Sequence, residues 1–333
     1  MVAPIFLRVF QYFGFIASEI FNMFLIWLIL TKINRKIGSY KNVMLLFAIY
    51  SMIYAVIEIC AQPVMHSKGT IFILFVDGFF KDYMNFGIFL CCLYIGTFGL
   101  CISLLACHFV YRFLAVCHPS ALTYLEGPKL ILLFIPSFIL ACTWSISGYI
   151  FAYPTDLKSS LLNESISENY GVNLFETPHL SLLYYLIDEH GGIEIYPDCA
   201  LFLVAQSIMS TCLITMVFCG IKCHKALQGV SNMSKRTKNL NKQLLLTLVV
   251  QTLVPLCTMF TPVGILFFLP IFSIDLGTWA NAPGIFAGLY PALDALIVIF
   301  MIRDFRNVIL CNSRKRKINI SSSDGRSQNT SFQ

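Results

Sequence analysis

The chain has 333 residues, 57% of them hydrophobic and only 12% charged, with a mean hydropathy of +0.75 and a formal net charge of +6. Soluble domains carry about 25% charged residues, so a soluble globular protein is excluded and lipid is the natural solvent for most of the chain. No nucleic acid is expected as a partner, and the net charge says little until the charges are placed.

The apolar runs come in order. A spanning helix needs about 20 mostly apolar residues, and seven segments qualify: 9–30, 43–65, 86–110, 130–153, 200–221, 244–269 and 279–302. The first run is too long, and lacks the basic start, of a cleaved signal. These runs predict an all-α membrane protein, a seven-transmembrane helix bundle. Lysine and arginine mark cytoplasmic loops. Nineteen of the 23 basic residues fall in the first, third and fifth linkers and in the tail, Arg112 among the third-linker residues. The N-terminus is therefore expected outside and the C-terminus in the cytoplasm.

The first and second runs bring Glu19 and Glu58, and the seventh Asp294, into view as acids inside apolar helices, where ionisable groups are costly and usually functional. Each glutamate is equally readable as a carboxyl hydrogen-bonded for packing. The third run ends in "HFVYRFLAVCHP", residues 108–119. Arg112 stands there among aromatics, either snorkelling to headgroups or meeting a partner. The long loop 154–199 carries eight acids, one lysine and the sequon at Asn163, which is expected to be glycosylated. It reads as a solvated cap or, more sharply, as a cation-attracting vestibule. Most of the 13 cysteines lie in apolar runs and behave as small hydrophobes. Cys91 or Cys92 with Cys199 is a candidate disulfide across the outer face, since the compartment permits it.

The sixth run, "KQLLLTLVVQTLVPLCTMFTPVG", holds Gln251 and two kink-forming prolines, Pro255 and Pro262. Its inner end is the basic run "SKRTKNLNKQ", with Lys235, Arg236 and Lys238, suited to lipid headgroups alone or to a partner as well. In the seventh, "LYPALDALIVIFMIRDFR", Pro291 precedes Asp294 by less than a turn, the makings of a bistable element. A short amphipathic helix, 303–311, follows with Phe305, Val308 and Ile309 on one face. Cys311 is a candidate for palmitoylation, and residues 312–333 read as a disordered, phosphorylatable tail. No enzyme motif, metal site or cofactor site is present in the sequence.

These motifs, with "GSYKNVMLLFAIYSMIYAVIEICAQPVMH", resemble the nematode seven-transmembrane chemoreceptors of the Str superfamily over about residues 38–306. The resemblance implies a G-protein-coupled odorant receptor in the cilia of chemosensory neurons. One departure is visible: the proline that usually follows the helix 7 aspartate is Ala295 here. The family also lacks the acid that precedes this arginine in rhodopsin-like receptors; Tyr111 stands there, with His108 one turn earlier, so restraint on Arg112 must come from another helix or from lipid. The implied partners are a small-molecule ligand, a heterotrimeric G protein and membrane lipid; a dimer is left open. The implied ligand pocket lies between helices 3, 5, 6 and 7, with Phe89, Tyr94, Phe98, Phe260, Trp279, Phe286 and Tyr290 as candidate lining. The competing class is a seven-helix ligand-gated channel or transporter. It should show polar stripes on several helices, and only isolated acids are seen.

Overall fold

The computed structural model describes residues 5–32, 40–125, 127–188, 190–229 and 235–309, apart from the side chains of Lys235 and Arg236. In chain order come α1 (Ile5–Lys32), α2 (Tyr40–Ala61), β1 (Pro63–Lys68), β2 (Ile71–Val76), α3 (Met84–Cys117) and the short α4 (Pro119–Thr123). A 3-10 segment (Gly127–Leu133) leads into α5 (Ile135–Phe151), followed by α6 (Asp156–Tyr170), β3 (His179–Leu183), β4 (Tyr185–Ile187) and β5 (Ile193–Ile195). Next are α7 (Cys199–Gly229), α8 (Lys235–Pro255), a π-helical turn (Leu256–Phe260) and α9 (Thr261–Phe268). Two 3-10 segments, Leu269–Phe272 and Thr278–Asn281, precede α10 (Ala282–Met301) and α11 (Arg303–Ile309).

Among the described residues, seven helical units are long and apolar enough to cross a membrane: α1, α2, α3, Gly127–Phe151, α7, Thr237–Phe272 and Thr278–Met301. Their outward faces are apolar. On α1, Phe13, Ile16 and Ile20 are each more than half exposed, a surface that only lipid solvates well. Small residues set the closest packing. A β-carbon at Gly14 would lie 2.4 Å from the Gly288 carbonyl oxygen, so α1 and α10 touch backbone to backbone there.

The all-α expectation is corrected by five strands among the described residues, all at one end of the bundle. The second helix stops at Ala61, not near residue 65, because Pro63 disfavours helical backbone at the residue before it. Gln62 adopts φ 42° and Pro63 begins β1. Strands β1, β2 and β3 form an antiparallel sheet in that order. Its two faces alternate along β2. Phe72, Leu74 and Val76 face the bundle core, while Ile71, Ile73 and Phe75 face α6, where Leu162, Ile166 and Tyr170 meet them. Burial on both faces is why β2 reads as an unbroken apolar run. Each such side chain contributes about 1.5–3 kcal/mol.

The acidic loop is likewise structured, with Asp156, Glu164, Glu168, Glu176, Asp188 and Glu194 exposed on its surface and Asp198 buried. Thr155 caps α6 by accepting from the Lys158 amide, and Gly171 ends it at φ 68°. The third helix runs to Cys117, so Arg112 belongs to α3 and not to a linker. The sixth span is interrupted after Pro255 by the π-helical turn, while Pro262 sits harmlessly in the first turn of α9.

Candidate functional site

Beneath the sheet lies an apolar cavity of about 40 Å³. Its roof is Met65, Phe72 and Leu74 from β1 and β2 with Leu180 and Leu182 from β3. Tyr94, Ile95 and Phe98 of α3 form one wall; Trp144 of α5, Leu201 of α7 and Val263 and Phe267 of α9 close the rest. Phe98 stands edge-on to both Trp144 (5.8 Å) and Phe260 (5.3 Å). Gly99 makes room for that indole, since a β-carbon there would meet its ring at 2.6 Å.

Of the expected lining, Tyr94 and Phe98 face the cavity, and Phe260 backs Phe98. Tyr290 is buried elsewhere, against Asp294. Phe89, Trp279 and Phe286 are corrected: they are 56%, 80% and 43% exposed. At 100° per residue Phe89 lies on the face of α3 opposite Phe98, and Trp279 precedes α10 in the 3-10 segment. Of the roof residues, Phe72, Leu74, Leu180 and Leu182 escaped sequence reasoning because they are on strands outside the expected spans, and Met65 because it is taken as the end of the second span. The disulfide is also corrected. Cys91, Cys92 and Cys199 are free thiols. The Cys91 thiol points at the Leu74 carbonyl and that of Cys199 at the Tyr184 carbonyl.

Polar ties hold the roof. Lys158 and Asp198, both only 7% exposed, form a 2.6 Å ion pair. The same ammonium donates to the carbonyls of Phe151, Tyr153 and Ser181, and Asp198 accepts from the Leu183 amide. The ends of α5, α6, β3 and α7 are thus joined at one point. His66 of β1 contacts Ser165 (3.1 Å) and Tyr170 (3.4 Å) of α6. Asn281 donates to the Tyr170 hydroxyl and accepts from the Met65 amide, which draws in the start of α10. Burial, with the Lys68 charge, lowers the His66 pKa to about 4 against the opposing pull of Asp275. Burial also raises the Tyr170 hydroxyl to about 12, opposed by Asn281. Asn163 sits within α6, its side-chain oxygen accepting from the Leu174 amide, which leaves its side-chain nitrogen outside that bond.

At the opposite end Arg112 is 3% exposed, buried between helices rather than snorkelling. Its Nη2 donates to the Asn241 side-chain oxygen at 2.8 Å and to the Asn241 carbonyl at 3.3 Å. The guanidinium lies 5.1 Å from the centre of the Tyr40 ring. Its restraints are neutral groups from α8 and α2. Beside it, a space of only about 10 Å³ is bordered by Tyr40, His108, Leu244, Gln251 and Asp294. Gln251 of α8 donates to Asp294 at 2.9 Å, and the Tyr290 hydroxyl approaches the same oxygen at 3.5 Å. The Asn22 amide of α1 donates to the Pro291 carbonyl. Lys238 donates to the Gln228 carbonyl near the end of α7. Phe305 of α11 is fully buried and Val308 packs beside it, while Ile309 is 39% exposed. Cys311 and the tail lie outside the described residues, as do the side chains of Lys235 and Arg236.

The two ends are joined by a file of rings. Tyr94 in the cavity wall meets Tyr54 at 6.1 Å; Tyr54 meets Tyr50 at 6.2 Å, and Tyr50 meets Phe47 at 5.6 Å. Phe47 packs on His108 at 4.8 Å and His108 on Tyr40 at 6.2 Å, which carries Arg112. Tyr111 also meets Tyr40, at 5.4 Å. The file passes between α2 and α3.

Residues 7–310 match the family model described as "Serpentine type 7TM GPCR chemoreceptor Str". The chain is 32% identical to serpentine receptor class r-10 of Caenorhabditis briggsae, with 94% of this chain and 93% of that protein covered. It is 32% identical to the Caenorhabditis elegans protein of the same name (88% and 87% covered). To the G-protein coupled receptor str-33 of C. elegans it is 26% identical, again with 88% and 87% covered.

Proposed function

The chain belongs to the Str-type serpentine seven-transmembrane chemoreceptors, a non-enzymatic family, and from that premise we propose that it binds a small environmental molecule beneath the sheet and activates a heterotrimeric G protein at the Arg112 end. The sheet end is outside and the Arg112 end cytoplasmic, a sidedness supported by the lysine and arginine bias. The protein acts in the plasma membrane of a chemosensory cilium, in olfaction. Asn163 carries a glycan, and Cys311 anchors the end of α11 with a palmitoyl chain.

A water needs about 10–15 Å³ measured as this cavity is, so about 40 Å³ accommodates roughly three water equivalents. The ligand is a small, largely apolar molecule, and anything larger must lift the sheet. The opposite space is about 10 Å³, too small for a peptide, which supports reading this arrangement as the resting one. Activation separates α8 from α3, with the π-helical turn after Pro255 as its weak point. Arg112 then exchanges Asn241 and Tyr40 for the G protein, with Lys235, Arg236 and Lys238 as flanking charges. Asp294 and Pro291 form the second half of the switch. The ligand shifts this equilibrium only if it binds the open state more tightly.

The observation that carries the reading is the unbroken file of rings from Tyr94 to Tyr40. A panel of small volatiles, applied to cells with a calcium or cAMP readout, tests it. At least one compound should act at wild type and lose tenfold or more in potency at Phe98→Ala. Equal potency at the variant, at matched surface levels, overturns the assignment of the cavity.

A further inference from the structure

The hairpin β4–β5 carries apolar side chains that the rest of the protein leaves bare. Its register pairs Tyr185 with Ile195, Leu186 with Glu194 and Ile187 with Ile193. Paired residues share a face, and faces alternate along each strand. One face therefore holds Tyr185, Ile187, Ile193 and Ile195, and the other Leu186 and Glu194. Leu186 packs against the cluster between the sheet and α6, so its face looks into the protein. On the opposite face Ile187, Ile193 and Ile195 are 63%, 66% and 73% exposed.

Two ties fix where that face points. The Tyr185 hydroxyl donates to the Ile271 carbonyl at 3.2 Å and meets the Ser273 hydroxyl at 2.9 Å. The neighbouring Tyr184 hydroxyl donates to the Phe267 carbonyl at 2.8 Å. The hairpin thus hangs from the sheet-side end of the sixth span, with the isoleucines on the same face as the Tyr185 ring. The apolar run 244–269 is about 39 Å long at about 1.5 Å per residue, longer than a hydrocarbon core of about 30 Å. Ile271 and Ser273 therefore lie at headgroup level, where Phe272 is also exposed.

That level suits the ribbon. An isolated two-stranded hairpin is marginal in water. At the interface its apolar side chains can enter the acyl boundary, while its unpaired strand edges stay hydrated. The turn is polar and closed: Asp188 accepts from the amides of His190 and Gly192 at 2.9 and 2.6 Å. Residues 185–196 include no lysine or arginine, so the attachment is apolar and needs no anionic lipid. A second copy of the chain is the poorer occupant. Strands of three residues offer far less than the roughly 800 Å² per partner of a stable protein interface.

We propose that the face formed by Tyr185, Ile187, Ile193 and Ile195 is a lipid-docking surface, seated on the phospholipid leaflet at the sheet end of the bundle. Only Tyr184 separates β4 from β3, the edge strand of the cavity roof, so this seat holds that edge of the roof at membrane level. The proposal rests neither on the ligand site nor on the sidedness proposed above.

Tryptophan fluorescence of the full chain in phosphatidylcholine nanodiscs provides the test. Ile193→Trp puts a reporter on the docking face and Glu194→Trp one on the opposite face; wild-type emission from the three native tryptophans is subtracted. Phosphatidylcholine brominated in the upper acyl chain should quench Ile193→Trp at least twofold more than Glu194→Trp. Aqueous acrylamide should show the reverse order. Brominated lipid that quenches the two reporters equally, or Ile193→Trp less, overturns the proposal. If acrylamide is then also excluded from Ile193→Trp, a second copy covers the face instead. Should Ile193→Trp not fold, Ile195→Trp reports from the same face with the same expectation and the same refutation. The readout is independent of signalling, so its failure is distinct from failure of the receptor reading.

Discussion

Replacing Asn241 with leucine should raise signalling in the absence of ligand. Arg112 is buried at 3% exposure, and its shortest hydrogen bond, 2.8 Å, goes to the Asn241 side chain. Leucine removes that acceptor while leaving the 3.3 Å bond to the backbone carbonyl and the Tyr40 ring at 5.1 Å. A hydrogen bond to a charged group contributes about 1.5–3 kcal/mol. Lost from the resting state alone, that energy multiplies the active fraction by roughly 10- to 150-fold until it saturates. Tyr40→Leu removes a cation–π contact of about 0.5–2 kcal/mol and should give a smaller rise. Basal nucleotide exchange on the G protein, per receptor at the cell surface, measures both. If Asn241→Leu reaches the surface at wild-type levels with unchanged or lower basal exchange, Asn241 does not restrain Arg112 and the switch is misassigned.

Three further outcomes follow from the roof and the sidedness. Lys158→Met leaves Asp198 buried without its cation and should cost about 3–5 kcal/mol, seen as a lower unfolding midpoint in detergent; a change under 1 °C would show that the pair does not hold the roof. His66 should make the roof acid-labile. Its folded pKa of about 4 is below the ordinary value of 6.5, so the unfolded state binds more protons between the two. The contribution is full above about pH 6.5 and is lost as pH falls toward 4. Limited proteolysis of the 154–199 segment should accelerate over that window in wild type and less in His66→Gln; identical profiles would exclude His66. Enzymatic deglycosylation should shift the wild-type mobility and not that of Asn163→Gln. A glycan at Asn319 or Asn329 instead would invert the proposed topology.

The spans were legible because lipid imposes length and apolarity on each helix. What was lost shows where that signal ends. The stretch through Val64 and Met65 continues the apolarity of the second helix, and only Gln62–Pro63 marks the break. Strand β2 is buried on both faces, so its apolar run carries no alternation to distinguish it from a helix. The roof of the cavity was invisible for that reason. Tyr94 and Phe98 were found because they are aromatic and one turn apart; Phe89 shares the composition but not the face. Arg112 is recognisable as an unusual residue, and with no acid beside it in the sequence its contacts come from other helices, Asn241 of α8 and Tyr40 of α2. Asn241 itself carries no sequence signal, since its role arises from the crossing of α3 and α8. Lys158 and Asp198 read as two loop charges among many, because their pairing over 40 residues is made only by the fold.

The central claim is that a ligand bound beneath the sheet acts through Arg112. Its most direct test is ligand-stimulated nucleotide exchange with the first active compound from the volatile panel, in wild type and in Arg112→Ala. Binding is followed in parallel by the thermal shift of the purified protein. The account predicts that Arg112→Ala keeps the shift and loses the exchange. Exchange at wild-type rate and potency in Arg112→Ala, at equal surface density, would contradict it.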